Sequence, residues 1–185
     1  MDAEEYLHLA ARAAQDSNHH DALKFAHKSL ELEPNKPEAL FLLAAQHAEI
    51  GLYDRAKEGY RLSIEQKPDL HLARFQLAML SLQSGEMDNL QEQIAYIETH
   101  ADNPRLKRYT RALSAMSEEN AELAIEHFEE GLALDSGSPE ADDVAMSMLN
   151  SIRAHLAQAS SEPEDAQYSK SRRAIDLSAY REDIS

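Results

Sequence analysis

The sequence predicts an all-α fold of the solenoid class, in which short helical hairpins stack one behind another. Two observations lead to this prediction. Apolar residues recur at spacings of three and four, which places them on one face of a helix. A small residue also returns every 34 residues, and it is the same residue type each time: Ala10, Ala44, Ala78 and Ala112.

The 34-residue period divides the chain into four units, at residues 3–36, 37–70, 71–104 and 105–138. Each unit is expected to contain two helices joined by a turn. Prolines at 34, 37, 68, 104 and 139 fall between the apolar runs, where a missing amide donor is harmless. Gly51, Gly85 and Asn18 follow the first helix of their units, where a left-handed residue commonly closes the last turn.

The residues at these places resemble the tetratricopeptide repeat family. Unit two carries the fullest match: Leu40, Leu43, Ala44, Gly51, Tyr53, Ala56, Tyr60, Ser63, Ile64 and Pro68. Only His47 departs, because it stands where the family keeps an aromatic residue. The resemblance covers roughly residues 3–158. It implies a right-handed α-solenoid of about four helix-turn-helix units.

Unit four departs from the pattern in its first half. Arg108 and Arg111 occupy places where the family keeps apolar side chains. We therefore expect its first helix to be shifted by about one residue, so that Tyr109 and Ala112 become the inward-facing pair.

The last quarter of the chain leaves the repeat pattern. Ser138 and Pro139 make a good helix start, and an apolar stripe follows at helical spacing. The stripe is Val144, Met148, Leu149, Ile152 and Leu156. We expect residues 139–158 to form a helix that covers the last open face of the solenoid. Residues 159–185 are expected to be a linker and a C-terminal segment with a basic cluster at 170–173. Three alternatives remain open for that segment: it caps the solenoid, it fills the groove, or it is disordered.

Composition limits the partners of this chain. The net charge is −16, so a negative field repels phosphate backbones and anionic lipid. We expect neither nucleic acid nor a membrane surface as a partner. The chain has no cysteine, which excludes disulfides, and no apolar run approaches the length of a membrane span. The acidic N-terminus is unlike a secretory signal, and a cytoplasmic location is expected.

Catalytic, metal and cofactor motifs were sought without success. His19 and His20 are adjacent, and adjacent histidines on a helix rarely reach one ion. No H-E-x-x-H motif, G-x-S-x-G motif or glycine-rich phosphate loop occurs, and the chain has only five glycines. The sequence therefore predicts a protein that is not an enzyme and that needs no cofactor or metal.

The resemblance implies that the first helix of each unit lines a concave groove. An apolar peptide-binding strip is then expected at Leu7, Ala11, Phe41, Ala45, Leu72, Phe75, Met79, Leu82, Tyr109 and Leu113. Leu106 and Met116 are expected to extend this strip. An exposed apolar strip usually marks a binding site. The alternative is that Phe41, Phe75 and Tyr109 complete the core between neighbouring helices.

Three functions remain open at this stage. The first is an interaction adaptor that binds an apolar peptide or helix of a partner protein in the groove. The second is a bacterial secretion-type chaperone that keeps a client protein soluble. The third is a structural subunit that acts through self-association, for example as a homodimer. Leu7, Ala11, Leu42, Leu72 and Gln76 replace the polar groove residues that bind chaperone tails, so that specialisation is not expected.

Overall fold

The computed structural model describes residues 1–134 and 139–161, and within these ranges it contains nine α-helices and no strand. The helices are α1 (Ala3–Gln15), α2 (His19–Leu32), α3 (Pro37–Glu49), α4 (Tyr53–Gln66), α5 (His71–Ser84), α6 (Met87–His100), α7 (Pro104–Ser117), α8 (Ala121–Leu132) and α9 (Pro139–Ser161). The predicted all-α class is confirmed. The predictions for residues 135–138 and 162–185 lie outside the described residues.

The turn inside each hairpin contains one residue with positive φ. These residues are spaced 34 apart: Ser17 at 54°, Gly51 at 76°, Gly85 at 74° and Glu119 at 57°. The prediction for Asn18 was wrong by one position, because Ser17 adopts the left-handed conformation. Asn18 instead caps α2, and its side chain accepts a hydrogen bond from the Asp21 amide. The first backbone amides of a helix have no partner within the helix, and an asparagine side-chain oxygen can accept a hydrogen bond from one of them. Asparagine is therefore favoured at the position that caps a helix.

The helix starts follow local sequence signals. Asp2 and Glu5 form a reciprocal capping box at the start of α1. Pro37 and Pro104 occupy the first turns of α3 and α7, where their missing amide donors leave no bond unmade. Asn120 caps α8 by accepting a hydrogen bond from the Leu123 amide. Short-range contacts and prolines therefore mark the starts of these helices.

The chain divides into two compact units, Met1–Ser81 and Leu82–Ser185. In the first unit, α1 packs against α2 and α3, and α3 packs against α4. Small residues make these contacts close. Ala44 is fully buried, and a Cβ built on Gly59 would lie 2.8 Å from the Ala44 Cβ. The small residues Ala44 and Gly59 therefore let α3 and α4 approach each other closely.

The core of the first unit joins α3, α4 and α5. It consists of Ala44, Ala56, Tyr60, Ala73, Leu77 and Leu80. Tyr60 is 1 % exposed and is the largest side chain of this cluster. Burial, followed by the charge of Glu49, raises the pKa of the Tyr60 phenol, which therefore stays neutral at physiological pH.

In the second unit, α7 packs against α6 and α8, and α9 packs against α8. Tyr109 and Ala112 are both fully buried, so the predicted shift of about one residue in α7 is confirmed. The two arginines are placed at the surface by this shift. Arg108 pairs with Glu130 at 2.8 Å, and Arg111 pairs with Glu98 through two hydrogen bonds of 2.9 Å.

Helix α9 begins at Pro139, as predicted, and continues to Ser161 rather than ending at residue 158. Ala159, Ser160 and Ser161 were predicted to be linker, and this was wrong. The buried face of α9 consists of Ala141, Ala145, Met148, Leu149 and Ile152.

A polar contact fixes α9 to α7. The Tyr109 hydroxyl donates a hydrogen bond of 2.7 Å to one carboxylate oxygen of Asp142. The Arg105 guanidinium donates to the other oxygen of the same carboxylate. Burial, and then the hydrogen bond to Asp142, raise the pKa of the Tyr109 phenol. The phenol therefore stays protonated and keeps its donor role.

Candidate protein-binding site

Six of the ten predicted groove residues are partly exposed on helices of the first unit. They are Leu7 and Ala11 on α1, Phe41 and Ala45 on α3, and Leu72 and Met79 on α5. We refer to these six residues as the apolar strip. Each pair lies one or two helical turns apart, which places both members on the same face of their helix.

The other four predicted groove residues are buried, so their assignment to an accessible strip was wrong. Phe75, Tyr109 and Leu113 have no exposed surface, and Leu82 is 6 % exposed. The predicted extensions Leu106 and Met116 are 6 % exposed as well. Large apolar side chains gain most free energy when fully removed from water, and these helices bury them. The alternative interpretation, that aromatic residues complete the core, is correct for Phe75 and Tyr109.

The apolar strip crosses neighbouring helices. Helix α1 contacts α3 directly, and residues of α3 and α5, among them Ala44, Ala73 and Leu77, belong to one core cluster. The six residues of the strip thus lie on three helices of one compact unit. Leu42 on α3 and Gln76 on α5 are also partly exposed. In the sequence they stood out only because they replace the polar groove residues that bind chaperone tails. Helical register was the signal that could have added them.

Phe41 is the strip residue most firmly held by the core. Its ring lies 5.7 Å from the ring of Tyr60, centroid to centroid, in a tilted arrangement. Phe41 and Met79 both pack partly buried against the core of the first unit. One side of each side chain is thus fixed by the fold, while the remaining surface stays accessible. Such an anchored apolar group loses little conformational entropy when it meets a partner.

Charged residues border the strip at both ends of α3. Glu4 pairs with Lys36 at 2.9 Å, and Glu38 pairs with Lys67 at 3.1 Å. These carboxylates lie at the N-terminal ends of α1 and α3, where the helix dipole also favours negative charge. Glu49 lies at the opposite end of α3 and is exposed.

His47 lies in the last turn of α3 and is half-buried. Burial, followed by the charges of Arg55 and His27, lowers the pKa of its imidazole below the usual value. The folded state therefore binds this proton less tightly than the unfolded state does. As pH falls from about 6.5 toward the lowered pKa, the unfolded state gains protons first and the folded state loses relative stability.

We predict that His47→Phe weakens the loss of stability between about pH 7 and pH 5, because an aromatic ring fills this site without a titrating group. Urea unfolding at several pH values measures the effect. His8→Gln serves as the control, since the His8 side chain is 77 % exposed. An unchanged pH profile in His47→Phe, or an equal change in His8→Gln, would contradict the prediction.

The described part of the chain contains no group of three or more histidine or acidic side chains arranged to bind a metal ion. No helix in residues 1–134 or 139–161 combines the length and the apolar character that a membrane crossing requires.

Comparison with solved structures identifies the fold. MamA residues 41 to the end, from Desulfovibrio magneticus RS-1, superposes with a TM-score of 0.58 at 17 % identity, and the match covers 97 % of each chain. The APC/C hetero-tetramer Cut9–Hcn1 gives a TM-score of 0.71 at 19 % identity, covering 99 % of this chain and 35 % of that one. Both are tetratricopeptide repeat proteins. No protein-family model and no curated protein sequence matches the chain. The chain therefore has the tetratricopeptide repeat fold that its sequence motifs indicate.

Proposed function

We propose that the protein is an interaction scaffold that binds an apolar segment of a partner protein on the apolar strip. The observation that carries this proposal is the partial exposure of six apolar residues on neighbouring helices of one compact unit. Contiguous apolar surface on a folded protein commonly marks an interaction site. A partner that presents apolar side chains at helical or extended spacing would remove this surface from water.

Repeat architecture supports the same proposal. Within the first compact unit, α3 contacts both α1 and α2, so the first helices of these successive hairpins present equivalent positions. In the first compact unit these positions are occupied by leucine, alanine, phenylalanine and methionine. The flexible methionine side chain adapts to varied apolar shapes. We infer no catalytic role, because the strip brings together no nucleophile with a base.

The test introduces a charge on the strip without removing core packing. Ala11→Glu and Ala45→Glu each add a carboxylate at a partly exposed position, and both residue types favour helix. Affinity purification from the native cells, followed by mass spectrometry, should identify a partner that the wild-type chain retains. Both variants should lose that partner, because a desolvated carboxylate against an apolar segment is strongly unfavourable.

Ala157→Glu is the matched control, since Ala157 is exposed on α9 and lies outside the strip. It should retain the partner as the wild-type chain does. Far-ultraviolet circular dichroism and thermal melting should be equal for all three variants. Equal retention of the partner by Ala11→Glu, Ala45→Glu and wild type would overturn the proposed site. A client that is insoluble alone would indicate the chaperone function, and a stable dimer in light scattering would indicate self-association.

A further inference from the structure

We propose that the segment bound by the apolar strip carries a lysine or arginine at one end, and that this cation pairs with Glu49. The inference rests on the proposed function and adds the chemistry of the partner. It commits to one class of occupant, an apolar segment of another protein with a basic flank. The argument comes from the position of Glu49, from the charges around it and from the residues beside it.

Glu49 is the last residue of α3 and is exposed. The C-terminal end of a helix carries a partial negative charge, so an acidic residue there is unfavourable. Within the described residues, the Glu49 side chain has no hydrogen bond and no ion pair. No described residue therefore offsets the unfavourable position of this carboxylate at the end of α3. Such exceptions are expected at functional positions.

The repeat register singles out this position. Gln15 and Gln83 stand 34 residues before and after Glu49, so the equivalent places on α1 and α5 are neutral. The carboxylates at the other end of α1 and α3 already have lysine partners, since Glu4 pairs with Lys36 and Glu38 pairs with Lys67. An incoming cation therefore finds an exposed carboxylate, Glu49, one helical turn from Ala45.

Glu49 and the strip lie within reach of one bound segment. Ala45 precedes Glu49 by four residues, so the two side chains are one turn apart on the same helix face. The pKa of the nearby His47 is lowered, mainly by burial, so this histidine does not supply a cation to Glu49 at neutral pH. The net charge of −16 also attracts basic partners over longer distances. A segment that places apolar side chains on Ala45 and Met79 can present its basic flank to Glu49.

Two synthetic peptides test the inference by fluorescence anisotropy with the full chain. Both are amphipathic helical peptides with leucines spaced by three and four. One has two lysines at one end, and the other has two glutamines there. We expect the lysine peptide to bind more tightly at low salt. Glu49→Gln should weaken its binding by about two- to fivefold, as befits an exposed ion pair. Binding of the glutamine peptide should not change.

Two control variants separate the possible outcomes. Glu58→Gln removes an exposed carboxylate from α4 and should leave both affinities unchanged. Ala45→Glu should abolish binding of both peptides. Equal binding of the two peptides, or equal effects of Glu49→Gln and Glu58→Gln, would overturn the pairing with Glu49 and leave the apolar strip intact as a binding site. Failure of both peptides to bind would overturn the inference together with the proposed function.

Discussion

Replacement of Tyr109 by alanine is expected to lower the free energy of unfolding by about 3–5 kcal/mol, the range for deleting a large aromatic side chain from a core. Tyr109 is fully buried, and its ring lies 6.0 Å from the ring of Phe128, centroid to centroid. Its hydroxyl also connects α7 to Asp142 on α9. The substitution therefore removes both a packing element and a contact that holds α9. Urea or thermal unfolding measures the loss.

Tyr109→Phe separates these two contributions. It keeps the ring and removes only the hydrogen bond to Asp142, whose carboxylate retains Arg105 as a partner. The expected cost is about 0.5–1.5 kcal/mol, the usual net value of one hydrogen bond. A loss in Tyr109→Phe as large as that in Tyr109→Ala would contradict the packing account. A negligible loss in Tyr109→Ala would show that the aromatic ring is not part of the core.

Gly131→Ala is expected to destabilise the protein by about 1–3 kcal/mol through overpacking. A Cβ at this position on α8 would lie 2.5 Å from Cε1 and 2.8 Å from Cδ1 of Tyr109. The ring cannot move away easily, because its hydroxyl is bonded to Asp142. In an open site the same change would stabilise a helix by about 1 kcal/mol, so the expected sign reports the close contact directly.

The double variant tests the cause of this effect. In the Tyr109→Ala background the aromatic ring is gone, and Gly131→Ala should become neutral or stabilising. The two substitutions should therefore be strongly non-additive, as expected for residues in contact. Equal destabilisation by Gly131→Ala with and without the Tyr109 ring would show that another contact is responsible. Arg108 is the candidate, since its Cβ would lie 3.2 Å from the added atom.

The sequence predicted the repeat architecture because its signals are local. These signals are alanines at the close helix contacts, prolines between helices, and glycines at 51 and 85. Each of them acts within a few residues. The shift of α7 that places Tyr109 inward was also predictable, because Arg108 and Arg111 could not both be buried without partners. The left-handed Ser17 and Glu119 were not predicted, since neither residue type favours that conformation.

The candidate site was only partly predictable. Phe41, Phe75 and Tyr109 occupy the same place in successive 34-residue units, so the sequence treats them alike. The structure leaves Phe41 partly exposed and buries the other two. Helical register fixes the direction of a side chain from its helix axis, but the number of groups that cover it depends on tertiary packing. The contact between Tyr109 and Asp142 joins residues 33 positions apart and has no local signal.

Methionine methyl resonances test the central claim, that a partner binds on the apolar strip, most directly. The chain has six methionines, of which Met79 belongs to the strip. Met87 and Met146 are 43 % and 45 % exposed outside it, and Met116 and Met148 are buried. In protein labelled with 13C at the methionine methyls, Met79→Leu identifies the Met79 signal. Addition of either leucine-rich peptide should shift the Met79 resonance and leave Met87 and Met146 unchanged. A shift of Met87 or Met146 with no change at Met79 would contradict the proposed binding surface.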